Sequence, residues 1–310
     1  MGSLLEVKNL SKVFKEIRAV NDLSFTVNSG DVYGFLGQNG AGKSTSLRML
    51  LKLIKPTAGE IFFSGTNIKN DGNDMLRQTG AIIEKPDLYK YLSAYDNLSV
   101  FAKLSGIKVS RTLIMDQLQI VGLAERAGSK VKTFSQGMKQ RLGIAVALVH
   151  SPRLVILDEP INGLDPQGIA DMRTLIGKLS GEMGKTVIIS SHLLSEIEIV
   201  ANRMIIIHKG EKIVEGNVAE LLDPAHTIVD INTTDNLSAA SALRQSSWTP
   251  QIVGITDQVR MRMNRNDIPA LVSFLHEKNI SLLALQPRHS LEDYFLSLTN
   301  HEAHAEPFTN

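Results

Sequence analysis

The stretch Gly37-Gln38-Asn39-Gly40-Ala41-Gly42-Lys43-Ser44 decides the fold of this 310-residue chain. It matches the pattern G-x-x-x-x-G-K-[ST], whose glycines let successive backbone N–H groups turn toward the phosphates of a nucleotide. In this pattern Lys43 reaches the β- and γ-phosphates, and the hydroxyl of Ser44 binds Mg²⁺. The alternative is a glycine-rich turn without function, but the loop stands where a strand ends and a helix begins. We therefore expect residues 37–44 and Thr45 to bind ATP.

The residues around this loop predict alternating strands and helices. Val32 to Leu36 is a short apolar strand, and a helix with a stop at Lys55-Pro56-Thr57-Ala58-Gly59 is predicted from apolar residues at helical spacing, namely Leu47, Leu50, Leu51 and Ile54. Residues 87–150 are mostly helical in pattern, and two further apolar strands follow, Leu154 to Leu157 and Thr186 to Ile189. Continuous apolar strands that alternate with helices indicate a parallel sheet covered on both faces.

An acid pair follows the strand Leu154 to Leu157, at Asp158 and Glu159. In open α/β sheets, ligands bind beyond the carboxyl ends of the strands. Asp158 is therefore predicted to hold Mg²⁺ through water, and Glu159 to orient or deprotonate the attacking water. An acid pair after a strand is on its own more typical of a surface turn or a helix cap. Together with the phosphate-binding loop, it indicates a hydrolytic site.

The sequence changes character near Leu222-Asp223-Pro224. This predicts a boundary between a domain of residues 1–222 and a small α+β domain of residues 223–300. The second domain has the element order β-α-β-β-α-β, which is that of a ferredoxin-like unit. A last helix is predicted from Ser290, and residues 301–310 are predicted to be a disordered tail. Three roles stay open for this domain: stabilising a dimer, docking a regulator, or capping the core.

Composition excludes several classes of site. The chain has no cysteine, so disulfides, thiolate metal sites and cysteine nucleophiles are excluded. The formal net charge is +1 and no dense basic block is present, so no nucleic-acid partner is expected. No apolar run approaches the roughly 20 residues that span a bilayer. Any membrane role must therefore come through a partner.

The stretch Phe134-Ser135-Gln136-Gly137-Met138-Lys139-Gln140-Arg141 resembles the signature motif of ABC transporter nucleotide-binding subunits. The resemblance covers about residues 3–220 and departs from the commonest motif at Phe134 and Gln136. It implies a P-loop NTPase fold of ABC type, with a β-subdomain, a parallel-sheet core and a helical subdomain. It also implies a head-to-tail homodimer around two ATP molecules, in which Ser135 and Gly137 contact the γ-phosphate held by the opposite subunit. On its own, Ser135 could equally be a helix N-cap.

Three more residues take expected roles from this resemblance. Asp165 lies in Asn162-Gly163-Leu164-Asp165, which resembles the loop at the dimer interface. His192 follows a strand in Ser190-Ser191-His192 and resembles the switch histidine that senses the γ-phosphate. Phe14 stands where the family has an aromatic residue that stacks on adenine, although an aromatic side chain there could equally be part of the core.

Glu84 departs from the family, which usually has glutamine at this position. The family residue touches Mg²⁺ or the attacking water and faces the permease, so Glu84 is a candidate catalytic residue and metal ligand; the alternative is a solvated loop residue. The substitution resembles the subgroup that serves bacitracin and lantibiotic resistance or self-immunity. The resemblance implies the ATP-hydrolysing subunit of an exporter for antimicrobial peptides, bound at the cytoplasmic face of the cell membrane through a separate permease. Glu84 and Tyr89 mark the expected coupling face.

Two other functions fit parts of the sequence. A soluble ABC ATPase that does mechanical work on nucleic acid or ribosomes is disfavoured, because the chain has one ATPase unit, no basic excess and no long coiled-coil insertion. An ATPase with a sensing or regulatory output is left open by the sequence.

Overall fold

The computed structural model describes residues 2–70, 73–221, 227–255 and 258–288. The chain folds into two compact units, Met1–Val218 and Ala219–Asn310. The domain limits read from the sequence remain predictions. The helix predicted from Ser290 and the tail predicted over residues 301–310 lie outside the described residues.

The first unit alternates strands with helices from its third strand onward. Its elements, in chain order, are β1 (Ser3–Phe14), β2 (Ile17–Asn28), β3 (Val32–Leu36), α1 (Lys43–Leu50), β4 (Ala58–Phe63), β5 (Thr66–Asn67), α2 (Asp74–Arg77), β6 (Thr79–Ile82), α3 (Ala94–Leu104), α4 (Arg111–Ile120), α5 (Gln136–Leu148), β7 (Leu154–Leu157), α6 (Pro166–Gly181), β8 (Thr186–Ser191), α7 (Leu194–Val200), β9 (Arg203–His208) and β10 (Glu211–Asn217), with α8 (Val218–Leu221) at the division between the units.

An antiparallel sheet in the order β2-β1-β4-β5 forms one layer of this unit, as far as the described residues show. Its inward positions alternate with polar ones, so that Val7 of β1 lies opposite Phe25 of β2 and both are buried. This period of two is what a sheet with one buried face requires. Leu23, Phe25 and Val27 of β2 are buried at every second position in this way.

The central sheet has the order β10-β9-β3-β8-β7-β6 within the described chain, and only β10 runs antiparallel to its neighbour. β3, β7 and β8 are buried along their whole length, which explains the apolar runs within them. The predicted parallel sheet is confirmed. Since these three strands are neighbours, the segments that follow them meet at one edge of the sheet.

α1 is shorter than its apolar spacing predicts, because it ends at Leu50 rather than beyond Ile54. Lys52 takes a φ of 58°, in the left-handed region, and the N–H groups of Leu53 and Ile54 both donate to the carbonyl of Arg48. This closing turn keeps Ile54 against the core without a further helical turn. The helix therefore stops well before the predicted Lys55–Gly59 signal.

The segment predicted to be mostly helical contains α3, α4 and α5. Each of these helices is capped by a serine: the hydroxyl of Ser93 accepts from the N–H of Asp96, that of Ser110 from the N–H of Leu113, and that of Ser135 from the N–H of Met138.

Within the described residues, no helix is long and apolar enough to cross a membrane.

The second unit contains β11 (Thr227–Thr233), α9 (Asn236–Arg244), β12 (Ile252–Ile255), β13 (Val259–Met263), α10 (Ile268–Glu277) and β14 (Leu282–Arg288). Its sheet has the order β12-β13-β11-β14, and every pair is antiparallel in the part of the unit described. The element order β-α-β-β-α-β is the ferredoxin-like one predicted from the sequence. Its core packs Val229 and Ile231 of β11 against Leu243 of α9 and Leu271 of α10.

Candidate functional site

The phosphate-binding loop connects the end of β3 to the start of α1. Gly40 and Gly42 have φ angles of 84° and 99°, in the region that favours glycine. A Cβ atom on Gly42 would lie 2.5 Å from the carbonyl oxygen of Ala19, so no larger residue fits there. Because α1 begins at Lys43, its unpaired N–H groups and positive dipole end face the loop. The local geometry is thus suited to an anion.

Lys43 is 6% exposed and lies against the loop that precedes it. Its ammonium donates to the carbonyl oxygens of Gly37 at 2.6 Å and Gln38 at 3.2 Å. The same Nζ atom lies 3.2 Å from Oε1 of Glu159. Lys43 therefore balances its buried charge with two loop carbonyls and one carboxylate, each of which a phosphate could replace.

Asp158 and Glu159 follow β7 and are held by the neighbouring strand β8. The hydroxyl of Ser190 donates to Oδ1 of Asp158 at 2.5 Å and accepts from the N–H of Glu159 at 2.8 Å. Glu159 has a φ of 50°, an uncommon backbone conformation for a residue of this type. Ser190 thus fixes the direction of both acids, a role that the sequence analysis did not assign. Its only sequence signal is a hydroxyl at the end of a buried strand.

His192 meets Glu159 across the same edge of the sheet. Nδ1 of His192 lies 2.9 Å from Oε2 of Glu159, so one carboxylate touches both His192 and Lys43 through its two oxygens. The imidazole is about one third exposed and the carboxylate about one fifth. The structure therefore assembles the predicted lysine, glutamate and histidine into one connected cluster.

Two adjoining cavities lie at this cluster. The larger, of about 630 Å³, is lined by residues that include Ser44, Glu84, Asp158 and Glu159. The smaller, of about 220 Å³, is lined mainly by the phosphate-binding loop from Gln38 to Thr45. Ser44 and Glu159 line both, so the two cavities share a boundary where a terminal phosphate and a water molecule could meet.

The larger cavity has a donor set that fits Mg²⁺. It combines the Ser44 hydroxyl with the carboxylate of Asp158, which is 2% exposed, and with that of Glu84. Mg²⁺ in proteins typically uses one or two carboxylates together with phosphate and water oxygens. No group of three or more His, Asp or Glu side chains in the described ranges could hold a metal ion. Bound nucleotide would have to supply the remaining ligands.

Glu84 stands just beyond β6, with its side chain two thirds exposed. It has a φ of 65° and forms an ion pair with Arg48 of α1. Glu84 is therefore not only a solvated loop residue, because its carboxylate has a charged partner in Arg48. Arg48 is a second neighbour of the site that the sequence analysis did not single out.

Ser135 and Asp165 both cap helices. The hydroxyl of Ser135 accepts from the N–H of Met138 at 3.2 Å, and Oδ1 of Asp165 accepts from the N–H of Gly168 at 2.8 Å. A Cβ atom on Gly137 would approach no heavy atom closer than 3.9 Å. Neither Ser135 nor Gly137 is among the residues that line the two cavities described above. Gln136, which stands between them, does line the larger cavity of its own chain.

Phe14 ends β1 with 42% of its surface exposed, so it is not a core residue. The ammonium of Lys12 lies 4.8 Å from the centre of its ring. An exposed ring face of this kind can stack on a flat base.

Known proteins resemble this chain over both its sequence and its fold. The family model described as ABC transporter matches residues 20–162. The bacitracin transport ATP-binding protein BcrA of Bacillus licheniformis is 40% identical over 303 residues, covering 96% of this chain and 98% of that protein. The lantibiotic transport ATP-binding protein SrtF of Streptococcus pyogenes is 45% identical over 212 residues, covering 68% of this chain and 90% of that protein.

Solved structures agree with this grouping. CbiO1 of Clostridium perfringens, part of the ABC transporter complex cbiONQ, gives a TM-score of 0.65 at 27% identity, covering 71% of this chain and 90% of its own. The ATP-binding cassette MJ0796, in a dimeric post-hydrolysis state bound to ADP and Pi, gives a TM-score of 0.62 at 25% identity, covering 69% of this chain and 98% of its own. With the phosphate-binding loop and acid pair in place, these likenesses establish that the chain belongs to the ABC transporter ATP-binding proteins and is an ATP-hydrolysing subunit of such a transporter.

Proposed function

We propose that this chain drives an exporter of antimicrobial peptides of the bacitracin or lantibiotic type, in resistance or self-immunity. The observation that carries the proposal is the likeness, over almost its whole length, to a bacitracin transport ATP-binding protein. The glutamate at position 84, which the sequence analysis took as a subgroup feature, supports it. The subunit would act at the cytoplasmic face of the cell membrane, bound to a separate permease.

Hydrolysis in this proposal follows from the cluster around Glu159. ATP places its phosphates on the phosphate-binding loop, and Lys43 turns from Glu159 to the β- and γ-phosphates. Glu159 then accepts a proton from the attacking water, as the water oxygen bonds to the γ-phosphorus and the bond to the ADP oxygen breaks. His192, 2.9 Å away, orients this carboxylate and senses the γ-phosphate.

Metal binding is assigned to Ser44, Asp158 and Glu84. Mg²⁺ bound there would neutralise charge on the phosphate oxygens. Ser190 keeps Asp158 pointing into the cavity through its 2.5 Å hydrogen bond. Phe14 is assigned to the adenine ring.

A homodimer completes each site in this proposal. Ser135 and Gly137 line neither cavity of their own chain, whereas Gln136 between them lines the larger one. In this proposal, both residues contact the γ-phosphate held by a second copy. The start of α5 offers unpaired N–H groups to such an anion. The dimeric state described for MJ0796 is a precedent in another protein. Asp165, at the start of α6, would lie at the same interface.

The permease would contact the surface around Glu84 and Tyr89. The side chain of Tyr89 is about half exposed and rests on Phe101 of α3, with 5.9 Å between the ring centres. The adjacent Tyr91 is 79% exposed. These two exposed aromatic side chains lie in the segment that follows Glu84, where they would transmit closure to a partner. Residues 1–222 would act as the motor, and residues 223–300 as an accessory domain.

Purification of the tagged full chain from mild-detergent membranes of its host tests this proposal. A multi-span permease in stoichiometric amount is the expected result, with loss of the permease on Tyr89→Ala and retention on the control Leu53→Ala, which changes an exposed residue after α1. A soluble yield carrying ribosomes or nucleic acid instead would overturn the transport role and leave the ATPase assignment standing.

A further inference from the structure

Arg48 and Glu84 join the phosphate-binding helix to the loop after β6. Nη2 of Arg48 donates to Oε1 of Glu84 in an ion pair. Arg48 lies in α1, which begins at Lys43, whereas Glu84 belongs to the segment that continues toward Tyr89. The pair thus connects the helix that binds nucleotide with the loop proposed to face the permease.

The position of Arg48 on α1 defines a second place for the carboxylate. Ser44 and Arg48 are four residues apart, so they lie on the same face of the helix with roughly 6 Å between their Cβ atoms. Ser44 and Glu84 line the same cavity. The carboxylate that rests on Arg48 and the hydroxyl that is assigned to Mg²⁺ therefore border the same cavity.

The loop that carries Glu84 can turn between two fixed points. On one side, Ile82 ends β6 and is buried. On the other, Pro86 packs so closely on α5 that a Cβ atom on Gly143 would lie 2.6 Å from it. Glu84 itself holds a left-handed φ of 65°, which is unfavourable for a glutamate unless a contact maintains it. The ion pair with Arg48 is such a contact.

We propose that Arg48 is a positioning residue that holds the Glu84 carboxylate away from the metal site until nucleotide arrives. When nucleotide and a divalent cation are bound, Glu84 leaves Arg48 and turns toward Ser44, and the loop moves with it. A glutamine at position 84 could not form this ion pair, so the device depends on the carboxylate. The inference rests on the proposed metal role of Glu84.

Binding of the non-hydrolysable analogue AMP-PNP to the full chain, titrated with Mg²⁺, gives the first test. Because Arg48 competes with the metal for Glu84, Arg48→Ala should lower the free Mg²⁺ needed for half-maximal binding by about two- to fivefold, the range for an exposed ion pair. Arg48→Lys should stay close to the parent. In a Glu84→Gln background, Arg48→Ala should change nothing further. Arg77→Ala, which breaks the exposed pair with Asp74, is the matched control.

A fluorophore gives a second test that does not depend on activity. The chain has no cysteine, so Asp87→Cys, at an exposed loop position, can be labelled alone. AMP-PNP with Mg²⁺ should shift the label's emission in the parent, and Arg48→Ala should produce part of that shift without nucleotide. Unchanged emission and an unchanged Mg²⁺ titration in Arg48→Ala would overturn the inference while leaving the proposed function intact. Absence of Mg²⁺-dependent binding in the parent would overturn both.

Discussion

Oε1 of Glu159 lies 3.2 Å from Nζ of Lys43, so the proposed general base is paired with the residue that must bind phosphate. Both groups are largely withdrawn from water, at 21% and 6% exposure, which strengthens the attraction between them. A γ-phosphate on the loop would compete with Glu159 for the ammonium. Substrate entry would thereby release the carboxylate toward the attacking water, and the base would become free only when there is ATP to hydrolyse.

Glu159→Gln should reduce kcat by at least about 100-fold, since the amide cannot accept the proton that general-base catalysis requires. ATP should still bind, because the amide no longer holds the Lys43 ammonium as an ion pair. Steady-state phosphate release and nucleotide titration measure the two effects, with the exposed Glu182→Gln as control. Turnover close to that of the parent would remove Glu159 as the base.

Ser190→Ala should lower activity by roughly 10- to 100-fold, as expected when a side chain that orients metal ligands is removed. The hydroxyl holds Oδ1 of Asp158 and the N–H of Glu159, so both acids lose their positions. The Mg²⁺ concentration for half-maximal activity should rise. Ser99→Ala, which removes a hydroxyl bonded only locally within α3, is the control. Equal Mg²⁺ dependence in the two variants would contradict the role of Ser190.

Gly80→Ala should destabilise the first unit by at least about 1–3 kcal/mol, the usual cost of overpacking. The added Cβ atom would lie 2.1 Å from the carbonyl oxygen of Ala147 in α5, where backbone cannot yield easily. Gly177→Ala, in the open middle of α6, should instead add up to about 1 kcal/mol of stability through helix propensity. Urea unfolding compares the two, and equal midpoints would contradict the packing of β6 on α5.

Tyr33→Phe should flatten the loss of stability at alkaline pH. Burial, helped by the nearby Glu215, raises the pKa of the Tyr33 phenol well above its usual 10.0. A raised folded-state pKa gives a contribution that is complete below about pH 10 and is lost as the pH rises further, because only the unfolded chain ionises readily. The variant, which also loses a 2.9 Å hydrogen bond to Glu215, should be less stable near neutrality by about 1 kcal/mol. Urea unfolding of the parent and the variant, at about pH 8 and about pH 11, measures how much stability each loses. An equal loss in the two proteins would contradict this account.

The sequence predicted the parts of the site that depend on local pattern. The glycine-rich loop, the strand ahead of it and the acid pair after a buried strand each carry their own chemical signal, and the family assignment that they led to is confirmed. The residues that follow β3, β7 and β8 meet at one edge of the sheet because these strands are neighbours. The functional roles of these residues stay predictions.

The pairings inside the site could not be predicted, because they depend on the order of strands in space. Nothing in a linear sequence places Ser190 beside Asp158 or Arg48 beside Glu84, which are 32 and 36 positions apart. The early end of α1 was missed for a different reason. The left-handed turn there occurs at Lys52. Glycine or asparagine at this position would have indicated a left-handed conformation, but lysine does not.

The central claim is that each catalytic site is built from two copies of this chain, and mixing two inactive variants tests it most directly. Lys43→Ala removes the phosphate-binding lysine, and Ser135→Ala removes the residue assigned to the opposite subunit. In a random mixture, about half of the dimers would be heterodimers, and each of these would have one intact site of its two. ATP hydrolysis should therefore recover to about a quarter of the parental rate. Hydrolysis no greater than that of either variant alone, with both variants folded and exchanging subunits, would contradict the shared site.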